Sequence, residues 1–344
     1  MIRILLFLCL VAAPFSSGLA VEVDVYTGKT PVSGQDAGER RQALPRALGN
    51  VLEKYSGVRS LDAYPEAKAS LRNAESILVT FYYQNVDKTL ADGSTTEQLH
   101  LVAKFAPDEV DELARALQLP LWQARRDPLE VWVVVDDGRQ REILPLETAY
   151  ARQSLSAVSE LRGQPLVWPE PDEEGMYSVD MQLLWGGYTE DLASLNGVGV
   201  LILAARREGA RWGIRTNLGF GGEHFAWRIQ DFDLEAGLVE GLQKAIDQVA
   251  DSMAIAANEQ GVWTRELTVE GLNSSSDYQS CLAYLQGIGI VDSVAVISAR
   301  PEGMTFRLGL NAAPDYLDEA FLRSGLLEAD DEENLFTYRG GLQE

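Results

Sequence analysis

Two cysteines and two histidines are all that the 344-residue sequence offers of the side chains that hold zinc most firmly. His100 and His224 are far apart in the chain, with no histidine partner at helical spacing. A structural zinc site needs four such ligands; with Cys9 set aside as part of the leader-like first twenty residues only three remain, too few for one, and each histidine is read as a strand-surface residue. Cys9 lies in the first twenty residues and leaves Cys281 alone thereafter. One thiol cannot close an intrachain disulfide, so stability must come from apolar cores. Cys281 sits beside Leu282, Tyr284 and Leu285 in a helical pattern and reads as a small buried residue rather than a reactive thiol. Basic residues are also scarce, 29 against 52 acidic ones, for a formal charge of −23. That excess repels nucleic acid and anionic lipid and favours cationic partners.

Long apolar runs are missing except at the start. Met1-Ile2-Arg3 is positive, Ile4 to Ala13 is almost unbroken apolar, and Ser17-Gly18-Leu19-Ala20 supplies small residues. Positive, apolar, small is the layout of a cleavable secretory leader, and the run is too short for a permanent anchor. Residues 1–20 are therefore expected to be a signal peptide. Cleavage after Ala20 would start the mature chain at Val21 and, by removing Arg3, bring its charge to −24. Cys9 lies inside the apolar run, which argues against a lipid-modified cysteine. The longest later candidate, Val198 to Ala205, is strand-sized. The expected location is the periplasm, with no transmembrane anchor in the mature form.

Catalytic and cofactor signatures are absent as well. Gly219-Phe220-Gly221-Gly222 and Gly197-Val198-Gly199 continue neither as G-x-G-x-x-G nor as a P-loop, and the first reads as a turn between antiparallel strands. No G-x-S-x-G elbow occurs. Asp231-Phe232-Asp233-Leu234-Glu235-Ala236-Gly237 begins like a calcium loop, but Ala236 holds the turn position and Leu242 that of the closing carboxylate. These acids read as helix-capping groups. Glu170 to Glu174 and Glu328 to Glu333 read as solvated loops. The expectation is no cofactor, no metal and no enzyme.

What is present is α+β patterning in three modules. Val21 to Arg126 forms the first. Val21 to Val25 alternates as a strand. A helix follows with Leu44, Leu48, Val51, Leu52 and Tyr55 on one face, Pro45 near its start and Gly57 at its end. Ile77 to Gln84 and Leu99 to Phe105 read as a hairpin with a long loop around Asp92-Gly93. Pro107 to Leu117 is a short amphipathic helix. The second, 127–261, has an α/β pattern. Leu129 to Val135 is a strand buried on both faces, followed by a helix from about Leu146 to Leu161 and a strand at Gln164 to Val167. Such a β-α-β unit implies a parallel sheet. Val198 to Ala205, Gly209 to Asn217 and His224 to Ile229 add strands, and Leu234 to Ala257 is a long helix. The third, 262–339, runs β-α-β-β-α-β, the order of a ferredoxin-like sandwich, with 340–344 as a tail. That order says little about activity.

All seven tryptophans fall between Trp122 and Trp263. Trp168, Trp185, Trp212 and Trp227 are the candidate interaction surface, because large amphipathic rings favour interfaces, against the competing reading that they pack a core.

Leu161-Arg162-Gly163-Gln164-Pro165-Leu166-Val167-Trp168-Pro169, followed by Asp172 and Glu173, resembles a segment of a proteobacterial exported family known as domain of unknown function 2066. Leu129 to Val135, Arg211-Trp212 with Trp227-Arg228, and Val25 to Tyr55 are similar too. Gln164 stands where that pattern is commonly apolar. The second module is also similar to the N-terminal domains of periplasmic accessory proteins for translocation and for the flagellar ring. The resemblance implies an assembly or interaction role and transfers no site residues. The sequence thus points to a non-catalytic periplasmic protein whose partner is another envelope protein. The alternative is a cell-wall-directed hydrolase or ligand-binding protein using the tryptophan-rich module.

Overall fold

The computed structural model describes residues 20–340, apart from 91, 146–148, 197–198, 301–302, 331 and 333. The expected leader lies outside the described residues except for Ala20. The chain is α+β, and its helices pack on three separate sheets. No helix among the described residues is long and apolar enough to cross a membrane.

The N-terminal part contains β1 (Val21–Glu22), β2 (Thr27–Pro31), α1 (Ala37–Ser56), α2 (Ala67–Ser70), β3 (Leu78–Thr89), β4 (Thr95–Phe105) and α3 (Pro107–Ala116). Its antiparallel sheet has the order β2-β4-β3. Two expectations change. The expected strand Val21 to Val25 shortens to β1, which pairs antiparallel with Arg125–Arg126, and the three-stranded sheet begins at β2, because the Asp24 carboxylate accepts from the Tyr26 N–H and the Thr27 hydroxyl. That side-chain turn ends the extended run and drops Val25 into the core. The helix starts at Ala37 instead of near Pro45, because Asp36 caps it by accepting from the N–H groups of Gly38 and Glu39 at 2.8 and 3.1 Å. Pro45 sits inside α1 and forfeits one backbone bond there. The β3–β4 hairpin is longer than expected and turns tightly, with Leu90 N–H donating to the Ser94 carbonyl. Leu101, Ala103 and Phe105 of β4 pack beneath α1, leaving the alternate residues on the opposite face.

The middle part holds β5 (Arg125–Arg126), β6 (Leu129–Asp136), β7 (Arg141–Ile143), α4 (Ala149–Arg162), β8 (Leu166–Val167), α5 (Met181–Gly186), α6 (Thr189–Asn196), β9 (Gly199–Glu208), β10 (Arg211–Phe220), β11 (Glu223–Asp231) and α7 (Leu234–Met253). β6 is buried along nearly its whole length, as its apolar run requires. It pairs in parallel with β8 and β9, but β9-β10-β11 and β6-β7 are antiparallel, so the sheet is mixed rather than parallel. The cause is local. Two-residue turns join β9 to β10 and β10 to β11, and Gly221 and Gly222 in the second have φ of +61° and +81°. Val131, Val133, Leu201 and Leu203 face α4 and α7, while Trp132, Val134, Val200 and Ile202 face the short helices α5 and α6.

The last part comprises β12 (Gln260–Glu270), α8 (Ser275–Gln286), β13 (Val291–Ala299), β14 (Gly303–Ala312), α9 (Asp315–Ser324), β15 (Leu327–Ala329) and β16 (Leu335–Tyr338). The strand order is β13-β14-β12-β16-β15. The expected β-α-β-β-α-β succession changes in two ways: β16 runs parallel to β12, and a further strand precedes it. The extra strand β15 takes the sheet edge and turns the chain back before β16 forms.

Candidate functional site

Side-chain alternation gives the first sheet an outer face not covered by α1. Lys29 of β2, Val102 of β4 and Tyr82 of β3 form one cross-strand row; Pro31, His100 and Gln84 form the next. Helix α4 stands opposite this face and presents Ser154, Ala157 and Leu161 to it. Between sheet and helix lies an open cleft of about 690 Å³. This is the size range and the setting, a junction of two layers, in which small-molecule sites occur. Lys29 Nζ donates to both Glu160 oxygens at 3.2 Å near one end. Gln153 of α4 bonds the β3 backbone near the other.

The inner end of the cleft rests on a buried basic cluster. Arg126 is 3% exposed and Arg162 is 2% exposed. Arg126 donates to the Arg162, Gly163, Lys54, Trp122 and Gln123 carbonyls at 2.6–3.2 Å and stacks on the Trp122 ring at 3.5 Å. Lys54 and Arg162 are in the last turns of α1 and α4, so two helix C-termini aim their negative ends at one guanidinium. Burial and the nearby Arg162 push Arg126 down to about 9, so it stays charged at neutral pH. Arg162 donates to the Gly57 carbonyl and to Asp247 Oδ1, each at 2.8 Å, and to Gln243. The modules are thus stitched together by side chain to backbone bonds.

Glu53 adjoins this cluster. Burial raises its carboxyl to about 7, against the opposing pull of Arg162 and of the Leu61 N–H. The fold therefore favours the neutral form, and stability falls as pH rises from about 4.5 towards 7. Glu53→Gln is expected to raise stability at pH 8 by about 1–2 kcal/mol after allowance for partial solvation, and to change little at pH 4. Urea denaturation at the two pH values measures this; equal effects at both would refute the assignment.

The free edge of β3 is the second feature. Leu90 N–H bonds Ser94, so even-numbered β3 residues turn their backbone groups to β4 and odd-numbered ones turn theirs outward. Gln153 confirms the direction. Its amide oxygen accepts from Thr89 N–H at 2.7 Å and its amide nitrogen donates to the Asp87 carbonyl. The N–H and C=O of one residue in an added parallel strand would make the same pair of bonds. Val79 to Val86 carry no charge, and Val79, Phe81 and Tyr82 are 61, 37 and 57% exposed.

The four tryptophans do not share one surface. Trp168, Trp212 and Trp227 are half-buried against the core beneath α4 and α7. Trp185 packs on the opposite face of the sheet, under two arginines, Arg141 at 3.7 Å and Arg215 at 5.0 Å from its ring. The pattern of large apolar residues could not separate these two faces. The cleft escaped the sequence reading because its walls come from polar-looking alternate positions of three strands and a distant helix. His100 lines it; His224 instead bonds Thr189 at 2.9 Å. Asp233 caps α7 by accepting from Ala236 N–H at 2.8 Å, as read from the failed calcium loop. Among the described residues, no three His, Cys, Asp or Glu side chains stand close enough to hold a metal. Burial pushes the Cys281 thiol up to about 12, which keeps it protonated.

No curated protein and no solved structure matches the chain. The stretch that carries the β2-β4-β3 sheet, α1 and α3, residues 20–123, is similar to a family described as a domain of unknown function (DUF8605).

Proposed function

We propose that this is a non-catalytic protein of the bacterial envelope space that receives an extended segment of another envelope protein at the open edge of β3. The observation that carries the reading is that edge. Phe81, Tyr83 and Asn85 offer their N–H and C=O groups outward, and Gln153 already satisfies the neighbouring position as a strand would. Edge strands are ordinarily guarded by charge, proline or a bulge; β3 has a register shift between Leu78 and Thr80 at its start and Lys88 near its end, but Phe81 to Val86 between them carries no charge and no proline. The acidic surface favours a basic partner segment. The leader-like first twenty residues and the likeness of Leu161 to Pro169 to the exported family 2066 support the location.

Asn85→Pro tests this. It removes one outward donor and leaves the β4 ladder intact, because Asn85 turns its N–H away from β4. With a photo-crosslinking residue at exposed Val79, the full-length chain is expected to give one discrete envelope-protein adduct. Asn85→Pro should reduce it about tenfold or more. A chain begun at Val21 should stay in the cytoplasm and give no adduct. An adduct unchanged by Asn85→Pro would refute strand addition, and export of the truncated chain would refute the leader.

A further inference from the structure

Lys54 is 9% exposed and lines the inner end of the cleft. Its ammonium donates to the carbonyls of Thr27 and Asp24, at 2.9 and 3.3 Å. An ammonium has three donors, and the third meets no acceptor among the described residues. A buried cation bonded to neutral carbonyls is costly unless something negative completes its shell.

The charged groups around Lys54 are Lys29 and Arg126 on one side and Asp24 and Glu160 on the other. Both carboxylates are already engaged, Asp24 by Tyr26 N–H and the Thr27 hydroxyl, Glu160 by Lys29. Arg126 is answered by the two helix C-termini and Lys29 by Glu160, whereas Lys54 has no carboxylate bonded to it among the described residues, inside a protein of net charge −23. From Lys54 the cleft passes the row of Val102 and Tyr82, then that of His100 and Gln84, and reaches Val86, with Ala157 and Leu161 opposite. The step from Tyr82 to Val86 along β3 is about 13 Å, room for a medium-length alkyl chain. Small Ala157 keeps the middle of the helix wall open, and Leu161 and Tyr82 show apolar surface at the mouth.

We propose that the cleft binds an elongated apolar molecule with a single carboxylate head, the head on the free donor of Lys54 beside Lys29 and the apolar body between Val102–Val86 and Ala157. The carboxylate supplies the missing acceptor and the missing negative charge together. One unpaired charge fits a monoanion better than a phosphate ester. The site uses side chains on one face of β3 and not the outward backbone groups of its edge, so this site and strand addition stand or fall separately.

Isothermal titration of the mature chain with laurate tests the site, with dodecyltrimethylammonium as the cationic match and acetate as the head alone. Laurate is expected to bind saturably, the other two far more weakly. Lys54→Met should weaken laurate about tenfold or more, the loss of one charge-assisted bond. If Lys54→Met does not fold, Ala157→Phe, at an exposed helix position, fills the body of the cleft and should abolish binding without lowering the melting temperature. Asn85→Pro should leave laurate binding unchanged. Laurate bound no more tightly than dodecyltrimethylammonium, or equally by both cleft variants, or not at all by the folded protein, overturns the proposal.

Discussion

Arg126→Met is expected to destabilise the protein by about 3–5 kcal/mol, a large part of the stability of an ordinary domain. Five carbonyls lose a charged donor at once; four of those bonds lie at 3.0 Å or less, and four are buried. Methionine matches the volume and keeps some packing on Trp122, so the loss reports the hydrogen bonds rather than a cavity. Lysine should not rescue it. An ammonium has three donors on one centre, whereas the planar fork of Arg126 reaches carbonyls of two helices and a connecting segment together. Denaturant midpoints for the wild type, Arg126→Met and Arg126→Lys measure the effect. A loss under about 1 kcal/mol for methionine would mean that the two helix termini are held by something other than this guanidinium.

Gly28→Ala should be comparably severe, by about 3 kcal/mol or more, and for a different reason. A Cβ at Gly28 would lie 2.0 Å from the Ala47 carbonyl oxygen of α1 and 2.8 Å from its carbonyl carbon. Neither is a flexible side chain, so the helix itself must lift off the sheet. Trimming residue 47 to glycine cannot relieve a clash with its backbone. The double variant Gly28→Ala, Ala47→Gly is therefore expected to be no more stable than Gly28→Ala alone. Gly93→Ala is the control. It has φ of +78° with open space around it, and should cost only about 1 kcal/mol of conformational strain. A double variant that recovers stability would show that the contact is with the side chain.

The elements with strong periodicity were legible before any coordinates. β6 reads as a buried strand because Val131 to Val135 is an unbroken apolar run, and the α7 stripe falls on the core as spaced. Boundaries were lost where a side chain competes with the backbone. Asp24 ends an alternating run that would otherwise read as a sheet strand, and Asp36 starts α1 before a proline that reads as its beginning. The direction of β16 depends on β15, too short to carry a pattern. The cleft is less legible still. Lys29, Lys54, Val102 and Ala157 are ordinary surface choices one by one, and their meeting depends on how α4 crosses the sheet. The buried Arg126 follows another arginine and resembles a solvated pair. Gly163 was the available hint, since its φ is +69° and a Cβ there would lie 2.6 Å from Arg126 Nη1.

The placement of α4 also bears on the order of events as the chain emerges N-terminus first. The β2-β4-β3 sheet and α1 are complete by Phe105, yet the helix that stands over the sheet's outer face ends at Arg162, 57 residues later. During that interval Tyr82, Val86 and Val102 face solvent, and the Lys54 carbonyl lacks its donor until Arg126 arrives. An interval of open apolar face and open strand edge is when a holding chaperone has most to grip. Its release should coincide with the docking of α4, so that the last turn of one helix times the protection of a sheet laid down well before it.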